Sequence, residues 1–496
     1  MNRFLRKGLV AVSGILLSGM ISTLTVSGEE WTIYGARAQG MGGAGVATGD
    51  GATAHYWNPA AIKLNDKTGV YIPFGTTLSV EGDIMQEVTQ IADKITTLTT
   101  PWSTLSTQIN SGSGLTLTDT RQLLDLFVNE MPDLDQKGQG MLFNASTGVG
   151  ITVGGLGIWG NYLTSVGVDP VVDQGARFAF SNGGGANAIN DIVGAGSDRS
   201  GVFTNAGSQS LADTIFNAGL GFTQNQAEEL VYQAELTGAN TADPNVQSIV
   251  TSIAQATGTG TSNVTDNQSG LIFSGILVRE IGVSYAHELM DGRLTIGGNL
   301  KMMEGQTYYN FIRFNALEQG SDIYNDLLDK KNTESSTSFG VDGGAIYKFT
   351  DLLKVGLTAR NINTPKFDFD GPGDYKLKPQ IRAGGAIQLS NILLLAADLD
   401  ITKNESQALD GYESQMIGAG LEFRVPILAI SLRGGMYKDL AADEGDALVY
   451  TAGLGLHVIA LDIDIAAAKS TDTFSIENSK DVPQRIGVSF SAAVRF

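Results

Sequence analysis

Three histidines, His55, His287 and His457, are the only imidazoles in this chain of 496 residues, and it contains no cysteine. A hydrolytic site would need an imidazole aligned with a carboxylate or a hydroxyl. His55 lies in a Gly/Ala-rich N-terminal stretch, whereas His287 and His457 fall at strand ends beside short turns. They are not expected to assemble a site, so no enzyme activity, catalytic residue or cofactor is assigned. Without cysteine, thiolate metal centres and thiol nucleophiles are excluded. Asp368, Asp370 and Asp374 in DFDGPGD offer hard oxygen ligands of the kind calcium takes. No glutamate closes that loop, so it reads as solvated and acidic, and no metal is assigned. Tyr308, Tyr309, Phe311 and Phe314 cluster near the end of one strand. They suit either an interfacial aromatic girdle or an outer lip that captures an apolar ligand.

The elements that carry these residues are written in the charge and hydropathy pattern. The formal net charge is -20, which opposes nucleic acid, whose phosphates require a basic face. Residues 1–28 read as a signal peptide: Arg3, Arg6 and Lys7 precede an apolar run from Gly8 to Met20, and Val26-Ser27-Gly28 supplies small residues for cleavage before Glu29. No later run is long and apolar enough for a membrane helix.

Alternation of apolar and polar residues is the dominant signal. Ile486, Val488, Phe490, Ala492, Val494 and Phe496 share one strand face, and Gly487, Ser489, Ser491, Ala493 and Arg495 the other. Leu461, Ile463 and Ile465 alternate with Asp462 and Asp464 in the same way. One face suits lipid and the other a polar lumen. The expected fold is all-β: a transmembrane antiparallel β-barrel of about 14 strands spanning 69–496, with partly helical extracellular loops. Strands are predicted near 69–80, 141–153, 156–167, 272–287, 293–312, 336–348, 353–361, 379–389, 392–402, 415–425, 428–438, 447–457, 459–468 and 485–496. Tight turns at Gly154-Gly155 and Asp291-Gly292 alternate with long loops, the largest at 81–140 and 168–271. Within those loops, 84–98, 119–131 and 225–236 read as amphipathic helices. The aromatic ending at Phe496 resembles the signal read by the barrel assembly machinery, so outer-membrane lipid and that machinery are expected partners.

Residues 29–68 differ from the rest. The stretch GARAQGMGGAGVATGDGATAHYWNPAAI at 35–62 is too Gly/Ala-rich to pack a core of its own. Gly40, Gly42, Gly43 and Gly45 permit close backbone approach, and Asn58-Pro59-Ala60 breaks any regular element. Such a segment can fold into a barrel lumen as a plug, its backbone bonded to the polar wall. Here the chain resembles the FadL/TodX superfamily of hydrophobic-compound channels, and within it the FadL-like proteins known as conjugal transfer TraF-type. The likeness rests on GMGGAGVATGDGATAHYWNPA (40–60), REIGVSYAHEL (279–289), LTIGGNLKMMEGQTYYNF (294–311), YKLKPQIRAGGA (375–386), AADLDITKNE (396–405), SQMIGAGLEF (414–423) and LRGGMYKDL (432–440). The resemblance implies a fourteen-stranded barrel with an N-terminal hatch in its lumen. It also implies passive transport of a hydrophobic small molecule that leaves sideways near the hatch, with Asn58, Pro59 and Ala60 close to that exit.

Charges on the polar strand faces include Glu280, Lys301, Lys354, Arg360, Arg382, Asp398, Asp400, Glu422, Arg424, Arg433, Asp462, Asp464 and Arg495. Mixed signs on neighbouring strands favour a salt-bridged wall that holds the hatch over a polar conduit. The alternative function is an outer-membrane scaffold of a conjugation or secretion system, with a protein partner docked on the large loops.

Overall fold

A computed structural model describes residues 29–49, 53–64, 68–82, 115–172, 186–259, 269–313, 330–425, 428–441, 448–476 and 479–496, with scattered positions between 84 and 108. The signal-peptide segment 1–28 and Phe314 lie outside the described residues.

Fourteen antiparallel strands close into one barrel. They are β1 Gly69–Glu81, β2 Gly140–Val153, β3 Leu156–Val171, β4 Gly270–Leu289, β5 Leu294–Arg313, β6 Thr333–Lys348, β7 Leu353–Arg360, β8 Gln380–Ser390, β9 Leu393–Asp400, β10 Met416–Val425, β11 Ile430–Asp439, β12 Val449–Val458, β13 Leu461–Ser470 and β14 Arg485–Arg495. β14 pairs with β1, with Gly69 opposite Arg495, so the sheet has no free edge. Every expected strand is present, and its ends move by at most four residues. The largest shift is β3, which continues through Asp169 and Pro170 because β4 supplies Ile272 and Leu271 as partners. At one end the strands join by short turns. Gly154 and Gly155 both have positive φ, 55° and 92°, as a two-residue hairpin of right-handed strands requires.

The pleat sorts the side chains as the alternation predicts. On β14, Ile486, Val488, Phe490 and Val494 are exposed on the outside, while Ser489, Ser491 and Ala493 are buried on the inside. The outward apolar belt is what a lipid-facing wall requires. Among the described residues no helix is long and apolar enough to cross a membrane; the strands do the crossing.

The wall is uneven. β4 and β5 are 20 residues long, whereas β7 and β9 have 8. The long loops are partly helical, as expected. Helices α4 Leu117–Asp125, α5 Ala186–Val193, α6 Ser208–Asn217, α7 Gln224–Leu236 and α8 Pro244–Thr259 pack around a shared apolar core that includes Leu123, Ile189, Leu211, Leu230 and Val250. The helix expected over 119–131 is corrected: α4 ends at Asp125, and a π turn over Leu126–Glu130 and a 3₁₀ turn over Met131–Asp135 follow. Pro132 at the start of that last turn lacks the N–H that would continue an α-helix. The helices at 186–193, 208–217 and 244–259 were not predicted. Their sequences are rich in Asn, Ser and Thr, which mask helical propensity.

Candidate functional site

Residues 29–49 and 53–64 lie against the inward faces of the wall. They include three short helices, α1 Ala36–Gly40, α2 Ala54–Trp57 and α3 Ala61–Leu64. Helices this short cannot persist alone, so tertiary contacts hold them. Many are polar. Ala36 N–H donates to Ser491 Oγ at 2.9 Å, and Gly42 N–H to Thr451 Oγ1 at 3.1 Å. Asp398 Oδ2 accepts from the amides of Gly45 and Val46 at 2.7 and 2.9 Å. Arg37 reaches Glu422 at 2.8 Å.

The wall makes room by glycine. A methyl group added at Gly420 would come within 2.5 Å of the Met41 backbone, one at Gly435 within 2.5 Å of Gly42 N, and one at Gly297 within 2.5 Å of Ala60 N. The small residues on the polar strand faces are therefore the imprint of the inner segment on the wall. Of the expected glycines, Gly40 abuts Gly453 on β12, Gly42 packs against β10 and β11, Gly45 faces the Trp57 ring and Gly43 packs near Ile33.

Asn58 is fully buried. Its side-chain amide donates to the carbonyls of Ala345 on β6 at 3.1 Å, Leu357 on β7 at 3.3 Å and Val46 at 3.3 Å. Its Oδ1 accepts from Ala60 N–H at 3.1 Å. The Asn58-Pro59-Ala60 turn is thus an anchor that ties the segment to two wall strands. Trp31, Tyr34, Tyr56 and Trp57 form an aromatic cluster. The guanidinium of Arg360 sits 3.9 Å from the Tyr56 ring centre, and that of Arg382 4.7 Å from the Trp31 ring centre, in cation–π geometry. The remaining wall charges pair as a structural lining. Lys301 bridges Glu280 and Asp342 at 2.9 and 3.2 Å, Arg382 pairs with Asp400, and Arg433 bridges Glu422 and Asp464 at 2.8 and 2.6 Å.

One wall ladder is broken. β1 and β2 pair from Gly69 to Tyr71, miss the positions of Ile72 and Pro73, and resume at Phe74 opposite Thr147 in unchanged register. Pro73 has no N–H to give, and its carbonyl accepts from Thr147 Oγ1 at 2.9 Å instead. Behind the break, a methyl at Gly148 would meet Tyr34 Oη at 2.5 Å, and one at Gly75 would lie 3.5 Å from Ile33 O. Residues 33–35 therefore cover it from within. In front of it Ile72, Phe74, Val149 and Ile151 are exposed on the lipid-facing surface. The sequence reading passed over this feature; a proline in mid-strand, in a sheet without an edge, is the signal that would have found it.

Above the inner segment the lumen is filled. The loop between β9 and β10 crosses the mouth: Gly138 N–H donates to Asp410 O at 2.8 Å, Ser274 Oγ to Gln407 O at 3.2 Å, and Leu409 packs on Leu142. The loop between β7 and β8 turns inward and buries Phe367, Tyr375 and Leu377 against Ile276, Val278 and Met303. Glu29 joins the two loops. Its carboxylate accepts from Tyr375 Oη at 2.6 Å, Ser406 Oγ at 2.7 Å and Gln407 N–H at 2.8 Å. Burial pushes that carboxyl up, against the lowering pull of these donors. Next to it Glu30, 3.0 Å from Arg485, is pushed up to about 7 by burial, with Arg485 pulling it down and Glu81 adding to the rise. Cavities beside Glu30 and Thr32 measure only about 20 and 50 Å³.

The match to a family model described as "F plasmid transfer operon, TraF, protein" runs over residues 55–400, from the Asn58 anchor through the ninth strand. The chain belongs to this family. Solved structures similar to this TraF-family chain include the toluene transporter TbuX of Ralstonia pickettii (12% identity, 94% of this chain and 99% of that one, TM-score 0.45). A FadL homologue of Pseudomonas aeruginosa (12%, 95% and 99%, 0.43) and the toluene transporter TodX of Pseudomonas putida (12%, 95% and 99%, 0.42) are similar to the same extent. The comparison with curated proteins finds no match.

The other singled-out residues disperse. Tyr309 packs edge-on against Phe369, 5.6 Å between ring centres, and Tyr308 and Phe311 are half-buried beside it on β5. Asp368, Asp370 and Asp374 are exposed on the inward-turning loop. Phe496 is exposed, its N–H donating to Thr68 O at 2.9 Å. His55 stacks on Trp159 at 4.6 Å, and His287 points outward beside Tyr285. His457 lies between a hydroxyl and a carboxylate: its Nε2 is 2.8 Å from Ser431 Oγ and its Nδ1 2.8 Å from Asp462 Oδ1. Ser431 has no exposed surface (0%) and Asp462 also binds Arg495, so the line of three braces the barrel rim.

Proposed function

We propose that this protein is a passive outer-membrane channel for hydrophobic small molecules of the fatty-acid or hydrocarbon type. The inner segment acts as its hatch, the Pro73 break is the lateral exit, and no bond is made or broken in the passenger. The break carries the reading. Parting two strands costs less where ladder bonds are already absent, each worth about 1 kcal/mol. An apolar passenger leaving there meets Ile72, Phe74, Val149 and Ile151 and then lipid, without crossing water. Passage requires motion, because the cavities above the hatch fall far short of the roughly 150 Å³ that admits a benzene-sized guest. Residues 33–35 and the loop between β9 and β10 are the parts that must move.

Uptake of labelled oleate or a labelled aromatic hydrocarbon, compared with and without the protein, tests the reading. Uptake unchanged by deletion would sink it. Pro73→Thr, which restores the N–H, is expected to slow uptake several-fold. The absence of native cysteine allows a second test. A Ser274→Cys/Gln407→Cys pair, oxidised to pin the crossing loop, should block uptake until it is reduced.

The helices at the long-loop end support a second reading, as a docking platform in a transfer apparatus, because α4 to α8 share a core of their own. Specific protein partners lost on trimming 182–240, with uptake intact, would favour it.

A further inference from the structure

Beneath the inner segment, at the short-turn end, the lumen opens into a vestibule of about 500 Å³. Arg37, Lys354, Arg424, Arg433 and Arg495 line it, with Glu422, Asp462 and Asp464 as the carboxylates among the described residues, in a chain whose overall charge is -20. The pairing decides which sign faces the space. Glu422 is held by Arg37, Arg424 and Arg433 together, and its side chain is 1% exposed. Asp464 is 7% exposed and lies behind Arg433, and Asp462 is 10% exposed behind Arg495 and His457. The cations instead present themselves: the Arg424 side chain is 49% exposed and that of Arg495 39%. Lys354, half-buried, has no carboxylate within ion-pair distance among the described residues, and its charged neighbours Arg37 and Lys348 repeat its own sign.

We propose that this vestibule binds an anionic group, a carboxylate or a phosphate, between Lys354 and Arg424. Glu422 holds Arg424 in place, and the Arg424 guanidinium and the Lys354 ammonium both line the cavity. Arginine in such a setting binds planar or tetrahedral oxyanions through paired N–H donors, and lysine adds a point charge. Low-dielectric walls focus the field of the surplus cations into the space. The ligand enters from the periplasm as a soluble anion or arrives as the headgroup of an amphiphile; the recognising chemistry is the same. The site stands apart from the lateral exit, since binding can be measured without transport.

The test is titration calorimetry on the full-length protein in an uncharged detergent, with inorganic phosphate, hexanoate and dodecanoate as probes. Saturable binding is expected, weakened by added chloride. Lys354→Gln and Arg424→Gln should each lower affinity about tenfold or more, as loss of a charge-assisted hydrogen bond implies. Arg279→Gln, on the lipid-facing side of β4, should leave it unchanged. Phosphate and hexanoate binding alike marks a site for soluble anions, and dodecanoate binding alone marks a headgroup site; both support the proposal. A heat-modifiable gel shift confirms that each variant is folded. No saturable binding of any probe, or affinities untouched by both substitutions in folded protein, would overturn it. Loss of uptake in the Pro73 variant with anion binding intact separates this site from the transport reading.

Discussion

The two ends of the lumen are built in opposite ways. The outer end is packed shut: apolar side chains from two inward-turning loops interlock with β2, β4 and β5, and Glu29 fastens the loops to the inner segment. The short-turn end is open and lined by ion pairs, with Lys354 and Arg424 on the wall of the space. Between them the inner segment is held by close backbone approach at wall glycines and by polar anchors. Shape complementarity closes the outer end, and charge organises the other. A device that must open is therefore expected to open by moving loops at one end and a few hydrogen-bonded anchors at the centre, with the ion-paired vestibule kept as a rigid frame.

The sharpest way to break this contrast is to push the inner segment off its imprint. Gly420→Val is expected to displace residues 40–43 at a cost of about 3 kcal/mol or more. It should be read as protease sensitivity of the inner segment and raised conductance in a planar bilayer, with the barrel's heat-modifiable gel shift retained. Gly434→Val, at a position with nothing within 4 Å, should change neither.

Acidity gives the next largest effect. The Glu30 carboxyl stands at about 7 in the fold against 4.5 for a free one, so between those values the folded state holds more protons than the unfolded. Stability of the segment's attachment is then greatest below about pH 4.5 and falls as pH rises through 7, by up to about 3 kcal/mol. Proteolysis at residues near Trp31 should be faster at pH 8 than at pH 5, and Glu30→Gln should flatten the difference. An unchanged rate across that range would remove Glu30 from the fastening.

Asn58→Ala strands the Ala60 N–H and three carbonyl acceptors, and about 1–3 kcal/mol of local stability should be lost. Amide hydrogen exchange over 45–62, faster than in the unaltered protein, would register it. At the small end, Lys403→Ala breaks an exposed pair with Glu413 on the crossing loop, with both side chains about half exposed. Its effect on the melting midpoint should stay below about 0.5 kcal/mol equivalent. A larger one would mean that charge, and not apolar packing, closes the outer end.

Much of this was legible in order along the chain. The alternation of Leu461, Asp462, Ile463 and Asp464, with its like in other strands, specified a wall with lipid on one side and a polar lumen on the other, because a strand's side-chain period is two. The glycines from Gly40 to Gly45 and the Asn58-Pro59-Ala60 turn marked a segment unable to fold alone. The family match then agreed with the likeness those motifs carried. Glu29 passed as no more than the residue after a cleavage site, yet in the fold it bonds loops nearly 350 and 380 positions away. Lys354 looked like any lumen cation, and only the pairing of the others left it without a carboxylate partner among the described residues. The crossing of the barrel mouth by the loop between β9 and β10 was equally silent, since Leu409 and Leu142 meet across the diameter.

Local chemistry determined what the sequence by itself could settle: strand period, turn residues and the unpackable glycine stretch, all of which depend on near neighbours. Closure of the sheet decided the rest. Once β14 meets β1, distant residues share one lumen. Which glycine receives which backbone, which cation is left over, and where Pro73 leaves the wall unbonded then follow from distances that no local pattern encodes.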